Sequence, residues 1–411
     1  MISAFTQGNI DSYIYINQPE GFISSDKPDY VFKLNKALYG LKQSARIWYY
    51  TLKEKLVSEL GFSVLQSEYC IYINKKLNMI ICLYVDDLAI ITPDINIINT
   101  FIDQIKKYFN IKNLGLITDY LGIDVDLNLK EGYLKLSQAK YIDKILVKYG
   151  LEASNPVYTP MDSKAKLEPN KEQVNKKYLV LFQAIIGSLL YIALGTRPDI
   201  AFSVIKLARF ASNPSLYHIS SAKRVLRYLK ATRDYGIIYY NNIYNKNSHS
   251  FISGYCDSDY AGDINTAKST LGFIFILAGG LISWKSKLQS VIAQSTTEAE
   301  FIAINTAAKE AVFIKQLMTE LGFYNQAKFP LYTDNNGALA LAKNPVFHKR
   351  TKHIAVKYYY IRQLIEKGII DLVYISTKDQ KSDGLTKPLD KTKFKEFLIQ
   401  IGLFRPNQAL N

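Results

Sequence analysis

Met79–Thr92 reads MIICLYVDDLAIIT: two short apolar runs around Tyr84-Val85-Asp86-Asp87, with no other charge in either run. Runs this short, rich in Ile and Leu and bounded by polar residues, predict two buried strands that meet at the Asp pair rather than one helix. Two neighbouring carboxylates at the tip of an apolar hairpin are costly without a positive partner. A pair of Mg²⁺ ions is such a partner, because hard cations take carboxylate oxygens and keep positions open for substrate phosphates. A solvated Asp-rich turn is the plain alternative, and the apolar flanks argue against it.

A chain of 411 residues is too long for one core, so two or three domains are expected. Hydrophobic residues at 48% and charged residues at 21% exclude a disordered chain. The formal net charge of +15 points to a polyanionic partner, since basic surfaces gain affinity by releasing counterions from phosphates. The 31 tyrosines suit stacking on bases. AT-rich codons, however, specify Lys, Asn, Ile and Tyr together, so charge alone supports nucleic-acid binding only weakly. Cys70, Cys82 and Cys256 are far apart and odd in number, which fits neither a disulfide framework nor a zinc site and predicts a reducing interior. No leader segment is read, and the most apolar window is the Asp86-Asp87 hairpin, whose double charge excludes a membrane span.

Taken in order, Ser12–Asn17 alternates like a strand. Asn35–Tyr50 (NKALYGLKQSARIWYY) predicts a helix with Lys42 and Arg46 four apart on one face. Ile95–Leu151 turns helical before a strand pair at Tyr120–Val125 and Tyr133–Leu136. Pro156 and Pro160 mark a boundary. Tyr178–Lys230 reads as all helix. There Lys223, Arg224, Arg227 and Lys230 crowd one zone, either as a solvated face or as a phosphate track. His218 reads as a packed core histidine. The Asn- and Ser-rich Asn241–Ser250 is a linker.

The last third predicts strands at Phe251–Asp257, Thr270–Leu277, Leu281–Lys285, Phe329–Thr333 and Ile369–Ser376. The long helix between them carries the stripe Ile304, Ala307, Ala311, Ile314, Met318 and Leu321. Ser295 followed by Glu298 is a capping-box signature, so Glu298 is read as structural. Glu300 lies one turn before Ile304 on the core-facing stripe, where a carboxylate is expensive unless it serves a metal. Asp257, Glu300, Asp334 and Asp383 each fall at an element junction. Asp259 rivals Asp257 for the first position, and Asp379 rivals Asp383 for the last.

Gln18-Pro19-Glu20-Gly21-Phe22, Ala37-Leu38-Tyr39-Gly40-Leu41-Lys42-Gln43 and Tyr84-Val85-Asp86-Asp87 resemble consecutive signatures of copia-type LTR retrotransposon reverse transcriptases. Gly187-Ser188-Leu189-Leu190-Tyr191 and Thr196-Arg197-Pro198-Asp199-Ile200 resemble that family's connection. The segments YCDSDYAG (Tyr255–Gly262), STTEAE (Ser295–Glu300), YTDN (Tyr332–Asn335) and TKHI (Thr351–Ile354) resemble its nuclease, and the element order resembles the RNase H fold. The resemblance implies an α+β multidomain fold: a reverse-transcriptase palm with the YVDD hairpin, a helical connection, and an RNase H-like mixed sheet with helices. The expected divisions are a partial reverse transcriptase at 1–161, a linker at 162–177, the connection at 178–240, the RNase H-like domain at 250–390 and a tail at 391–411. Two departures stand out. Ala45 replaces the family's usual proline. The family's third metal-binding Asp also stands just before Ser3-Ala4-Phe5, where Met1 and Ile2 are found, so an N-terminally truncated chain with an incomplete polymerase triad is expected.

By that resemblance Asp86 and Asp87 are polymerase metal ligands, and Asp257, Glu300, Asp334 and Asp383 are the nuclease's. Each site is expected to hold two Mg²⁺, with Mn²⁺ as a substitute. Lys42, Gln43, Arg46 and Tyr84 are nucleotide-side candidates, and Lys349, Arg350, Lys352 and His353 are candidates for gripping a hybrid. The implied partners are an RNA template, a DNA primer, dNTP and an RNA–DNA hybrid read by shape. No membrane partner is expected, and the setting is intracellular, in a cytoplasmic particle or the nucleus. The competing reading is a catalytically dead relic or domesticated protein that binds hybrids.

Overall fold

The computed structural model describes residues 1, 3–241, 252–324, 328–343 and 352–404. They fall into two compact units, Met1–Ile117 with Gln316–Phe323, and Thr118–Lys315 with Tyr324–Asn411.

In the first unit, β1 (Tyr15–Asn17) and β2 (Val31–Lys33) pair as a ribbon. Helix α1 (Ser44–Glu54) follows and runs on as a π-helical stretch, Lys55–Glu59. Lys42 therefore lies outside the helix and shares no helical face with Arg46, contrary to their four-residue spacing. Trp48, Leu52 and Leu56 form the buried stripe, packed with Tyr72 and Ile81 of the sheet. That sheet is antiparallel: β3 (Ser63–Val64), β4 (Ile71–Asn74), β5 (Met79–Tyr84) and β6 (Asp87–Ile91), in that order. The hairpin read from the sequence is β5 and β6, but burial alternates. Met79, Ile81, Leu83 and Ala89 are buried while Ile80, Cys82 and Ile90 are only half-buried. Helix α2 (Ile95–Ile105) is capped by Asp94, whose carboxylate accepts from the Asn96 N–H at 2.8 Å.

The second unit runs β7 (Asp119–Tyr120), β8 (Ile123–Asn128), β9 (Tyr133–Ser137), α3 (Ala139–Lys148), α4 (Lys176–Gly195), α5 (Ala201–Ala208), α6 (Leu216–Ala231) and β10 (Gly236–Tyr240). It continues with β11 (Ile252–Ser258), β12 (Thr270–Leu277), β13 (Gly280–Leu288), α7 (Thr296–Glu320), β14 (Phe329–Thr333), α8 (Asn336–Lys343), α9 (Lys352–Glu366), β15 (Ile370–Tyr374), α10 (Lys391–Gln400) and β16 (Leu403–Phe404).

Two sheets organise it. One is antiparallel in the order β16-β10-β9-β8-β7. This sheet corrects three of the sequence divisions. Residues 118–161 belong with later strands, so no break falls at 161. The connection expected to be helical over 178–240 ends in β10. The expected tail at 391–411 contains a helix with Phe394 and Phe397 in the core, and a strand whose Leu403 pairs with Ile237. The signals were weak because β16 has only two residues and its partner lies far away in sequence. The other sheet is mixed, β13-β12-β11-β14-β15, with β11, β12 and β13 antiparallel and β11, β14 and β15 parallel. It is the RNase H-like sheet expected from the element order.

Among the described helices α4 alone is long and apolar enough to cross a membrane by length and composition, so the Asp86-Asp87 hairpin is not the chain's leading apolar window. In the fold, Phe182, Ile185, Leu189 and Ile192 of α4 are buried with Val204 and Leu207 of α5 and Val225, Leu226 and Leu229 of α6. At the end of α4, Arg197 is fully buried. It is bidentate to Asp199 at 2.7 and 3.0 Å, and Tyr228 Oη donates to the same carboxylate at 2.5 Å. The family-like Thr-Arg-Pro-Asp segment is thus a buried structural anchor.

Candidate active sites

Strand β11 carries Asp257 near its end, paired in register with Gly272 of β12. A Cβ on Gly272 would lie 2.8 Å from Leu385 Cβ and 2.9 Å from Thr386 Cγ2, so glycine is what lets the Asp383–Leu385 turn approach the sheet. From that turn Thr386 Oγ1 donates to Asp257 Oδ2 at 2.5 Å. Buried Gln289 donates from Nε2 to the Ala299 carbonyl at 2.9 Å and to Ser258 Oγ at 3.0 Å, tying the start of α7 to the end of β11. The next residue on the helix is Glu300. Strand β14 lies parallel to β11, so Asp334, just past its end, comes to the same place. Thr377 Oγ1 donates to its Oδ2 at 2.9 Å.

One carboxylate oxygen from each of Asp257, Glu300 and Asp334 lies within 4.8 Å of the other two. Asp257 is 4% exposed and Glu300 7%. Burial, reinforced by the Asp383 carboxylate, pushes the Asp257 carboxyl well above its ordinary range. Burial, then the charges of Asp257 and Asp334, push Glu300 up as well. Glu300 Oε2 and Asp383 Oδ1 are buried without a hydrogen-bond partner. Acceptor oxygens gathered without donors are what a hard divalent cation satisfies, so the residues present fit such an ion.

The rivals separate by geometry. Asp259 accepts from the Thr270 backbone N–H, is pushed up to about 6 mainly by burial, and lies outside the three-acid cluster. Asp379 accepts from Ser376 Oγ at 2.6 Å, also outside it. Asp383 stands next to the cluster, its Oδ2 3.0 Å from Lys387 Nζ. Glu298 caps the helix, as its spacing suggests. Its N–H donates to Ser295 Oγ at 3.1 Å, but its carboxylate accepts from the Gln294 N–H at 2.9 Å instead of that of Ser295. Sequence reasoning passed over Thr386, Lys387 and Gln289. For the first two a signal was available, since they lie three and four residues after Asp383, one turn away.

At the first unit's hairpin, Tyr84 pairs with Asp87, leaving a two-residue turn with Val85 at φ 52. Trp48 Nε1 donates to the Val85 carbonyl at 2.7 Å, and Tyr39 Oη donates to Asp86 Oδ2 at 2.6 Å. That bond is the main reason the Tyr39 hydroxyl titrates above its ordinary value. Asp86 Oδ1 is buried without a partner, while Asp87 and Tyr84 are exposed. The fold thus brings the Ala-Leu-Tyr-Gly segment onto the Asp pair through Tyr39, which sequence reasoning left out. Of the nucleotide-side candidates, Lys42 is exposed, Gln43 Nε2 donates to Ser12 Oγ at 3.3 Å, and Arg46 is paired with Asp11 at 2.9 Å.

Lys349 and Arg350 lie outside the described residues, and Lys352 and His353 open α9. Arg224, Arg227 and Lys230 are half-buried and bonded to the segment before residue 162. Arg224 Nη2 donates to Thr159 Oγ1 at 2.9 Å, Arg227 Nε to the Asn155 carbonyl at 2.6 Å, and Lys230 Nζ to the Ser154 carbonyl at 2.7 Å. They pin the segment before the 162–177 stretch to α6. His218 is a packed core residue as expected, stacked on Phe210 at 4.0 Å, with Nδ1 accepting from the Ser215 N–H.

Residues 1–163 match the family of reverse transcriptases (RNA-dependent DNA polymerases). The retrovirus-related Pol polyprotein from transposon TNT 1-94 of Nicotiana tabacum is 36% identical over 95% of this chain, which spans only 30% of that relative's length. A putative transposon Ty5-1 protein of Saccharomyces cerevisiae is 32% identical, over 75% of this chain and 98% of its own length. A foamy viral protease–reverse transcriptase solved in complex with double-stranded DNA gives a TM-score of 0.49 at 14% identity, covering 91% of this chain and 58% of that one. With nearly the whole of the yeast transposon protein matched at that identity, the chain belongs to the Pol family of copia-type retrotransposons.

Proposed function

We propose that this chain carries the two centres of a retrotransposon Pol protein: a site for RNA-directed DNA synthesis at Asp86 and Asp87, which no third acid joins among the described residues and which is therefore incomplete and defective, and a site for hydrolysis of the RNA strand of RNA–DNA hybrids at Asp257, Glu300, Asp334 and Asp383. The convergence of three acids within 4.8 Å, two of them buried, carries the reading. These acids would hold Mg²⁺, with Mn²⁺ as a substitute, and Asp86 and Asp87 would hold the ions of the dNTP site. Bound divalent ions supply Lewis acidity at a phosphate and an activated water. The chain's own residues do the rest. Thr386 fixes the Asp257 carboxylate, Gln289 sets the turn that bears Glu300, and Thr377 orients Asp334. Lys42, Gln43 and Tyr84 are assigned to the nucleotide side. The net charge of +15 supports an RNA template, DNA primer and hybrid as partners. Three unpaired cysteines support an intracellular setting.

The test is cleavage of a labelled hybrid by the purified chain with Mg²⁺. RNA-strand cleavage that is lost in Asp334→Asn, with little action on double-stranded DNA, is expected. A folded chain that binds hybrid but cuts nothing across Mg²⁺ and Mn²⁺ titrations overturns the nuclease reading in favour of a hybrid-binding relic.

A further inference from the structure

We propose that Lys387 is a built-in counter-cation of the nuclease site. Its ammonium fills the Asp383 corner of the acidic cluster, so that without nucleic acid the site retains one divalent ion. The second enters only with the substrate phosphate, which offers Lys387 another anion. The inference rests on the metal-dependent nuclease reading above and concerns how that site is loaded.

The ammonium sits 3.0 Å from Asp383 Oδ2. Asp383 is the acid that stands apart from the mutual cluster of Asp257, Glu300 and Asp334. The placement is set by backbone. The Thr386 and Lys387 N–H groups both donate to the Asp383 carbonyl, at 3.2 and 3.3 Å, closing a turn that projects the lysine back over its own acid. Gly272 admits that turn to the sheet, and Thr386 fastens it to Asp257. Two consecutive side chains thus hold two different acids of the site. A neighbouring basic side chain, Arg209, is already paired with Asp263 at 3.4 Å and donates to Thr270 Oγ1, and among the described residues Lys387 is the cation ion-paired with one of the four proposed metal-binding acids. A fixed positive charge at this range opposes a divalent ion at the same corner, and the repulsion stays large even at an effective dielectric of about 20. An RNA phosphate brought against the site relieves it, because an ammonium binds phosphate as a point charge.

The experiment counts ions. Mg²⁺ binding by calorimetry and Mn²⁺ binding by electron paramagnetic resonance are measured without nucleic acid, in a background of Asp86→Asn with Asp87→Asn that silences the hairpin. Lys387→Met and Lys387→Gln both remove the charge, Lys387→Arg keeps it, and Asp334→Asn marks the site. The expected result is one ion bound to the parent chain and lost in Asp334→Asn. In either neutral variant a second ion should appear, or the first should bind about tenfold more tightly or better; Lys387→Arg should behave as the parent. Metal-free melting should fall in the neutral variants, and Mg²⁺ should restore more of it than in the parent. A parent chain that already binds two ions, or neutral variants with parental number and affinity or weaker binding, overturns the role of Lys387 while leaving the metal centre standing. If no binding is lost in Asp334→Asn, the metal-centre reading itself fails and the inference falls with it.

Discussion

Trp48 holds Val85 by an indole N–H to carbonyl bond of 2.7 Å, and Val85 is a β-branched residue at φ 52 in the turn that presents Asp86 and Asp87. A turn with φ > 0 at its first central position normally takes glycine there. Left-handed backbone at a non-glycine residue costs of order 1–3 kcal/mol and persists where surrounding structure enforces it. The enforcing group is an indole that is 2% exposed and seated in the first unit's core.

The first prediction reverses the usual rule for glycine in a hairpin. Val85→Gly should be neutral or stabilising, by up to about 1–2 kcal/mol, because strain relief outweighs the added chain entropy. Trp48→Phe should destabilise by about 1–3 kcal/mol, through lost volume and an unpaired carbonyl. Urea unfolding of both variants decides. A loss of more than about 1 kcal/mol in Val85→Gly would mean that the turn is not strained.

The second prediction concerns Arg227, which a charge-run reading offers to phosphates. Its Nε is bonded to the Asn155 carbonyl, so Arg227→Gln should lower thermal stability, by about 0.5–2 kcal/mol for a charged donor lost from a half-buried site. The slope of hybrid affinity against salt should stay within error of the parent. A slope reduced by about one unit would restore the phosphate contact.

What the sequence made legible follows from range. Phe329–Thr333 reads as a strand with the bounds it has, and Asp257, Glu300 and Asp334, whose carboxylates the fold gathers, each lie where a periodic run stops or on a stripe counted in helical turns. Glu300 in particular follows from its one-turn spacing to Ile304, which is fully buried. In the sheet β16-β10-β9-β8-β7 the local pair β8 and β9 was legible, but β10 and β16 were not, for the opposite reason. Ile237 pairs with Leu136 on one side and Leu403 on the other, and no local pattern encodes partners that distant. The cluster on α6 failed in the same way, because the acceptors for Arg224, Arg227 and Lys230 are oxygens more than sixty residues earlier in the chain. Lys387 was available one turn from Asp383, but a lysine beside an acid reads as surface until the fold places that acid against three others.

The third prediction separates two glutamates of one helix. Glu298 closes the first turn of α7 from outside the cluster, whereas Glu300 contributes an oxygen to it. Glu300→Gln should abolish hybrid cleavage with melting unchanged or slightly raised in the metal-free protein, since one member of a repelling set is neutralised. Glu298→Gln should keep cleavage and cost about 0.5–2 kcal/mol at most. Cleavage assays paired with thermal melts test the ordering, and an inactive Glu298→Gln beside an active Glu300→Gln would reverse it.

The last prediction is a pH dependence whose sign follows from the same acids. Burial raises Asp257 and Glu300 above their ordinary range, and Asp259, pushed up to about 6, adds a shift of the same direction. The folded chain therefore keeps protons that the unfolded chain has released above about pH 4. Where the native state binds more protons, stability falls as pH rises. The contribution is complete below the unfolded carboxylate values and is lost as pH climbs through the raised ones. Metal-free protein should thus melt progressively lower from about pH 5 to pH 8, by a few kcal/mol in all. His218, lowered by burial, works in the other direction, but only below its ordinary value near 6.5, so it cannot produce a loss above neutrality. Divalent ions replace those protons, so saturating Mg²⁺ should flatten the curve, and Mg²⁺ affinity should rise with pH over the same window. Glu300→Gln should remove part of the slope in EDTA and have little effect on it in Mg²⁺. Melting curves at five pH values, with EDTA and with Mg²⁺, read all three effects. A metal-free protein whose melting temperature rises across that window would show that these carboxyls are not held protonated in the fold.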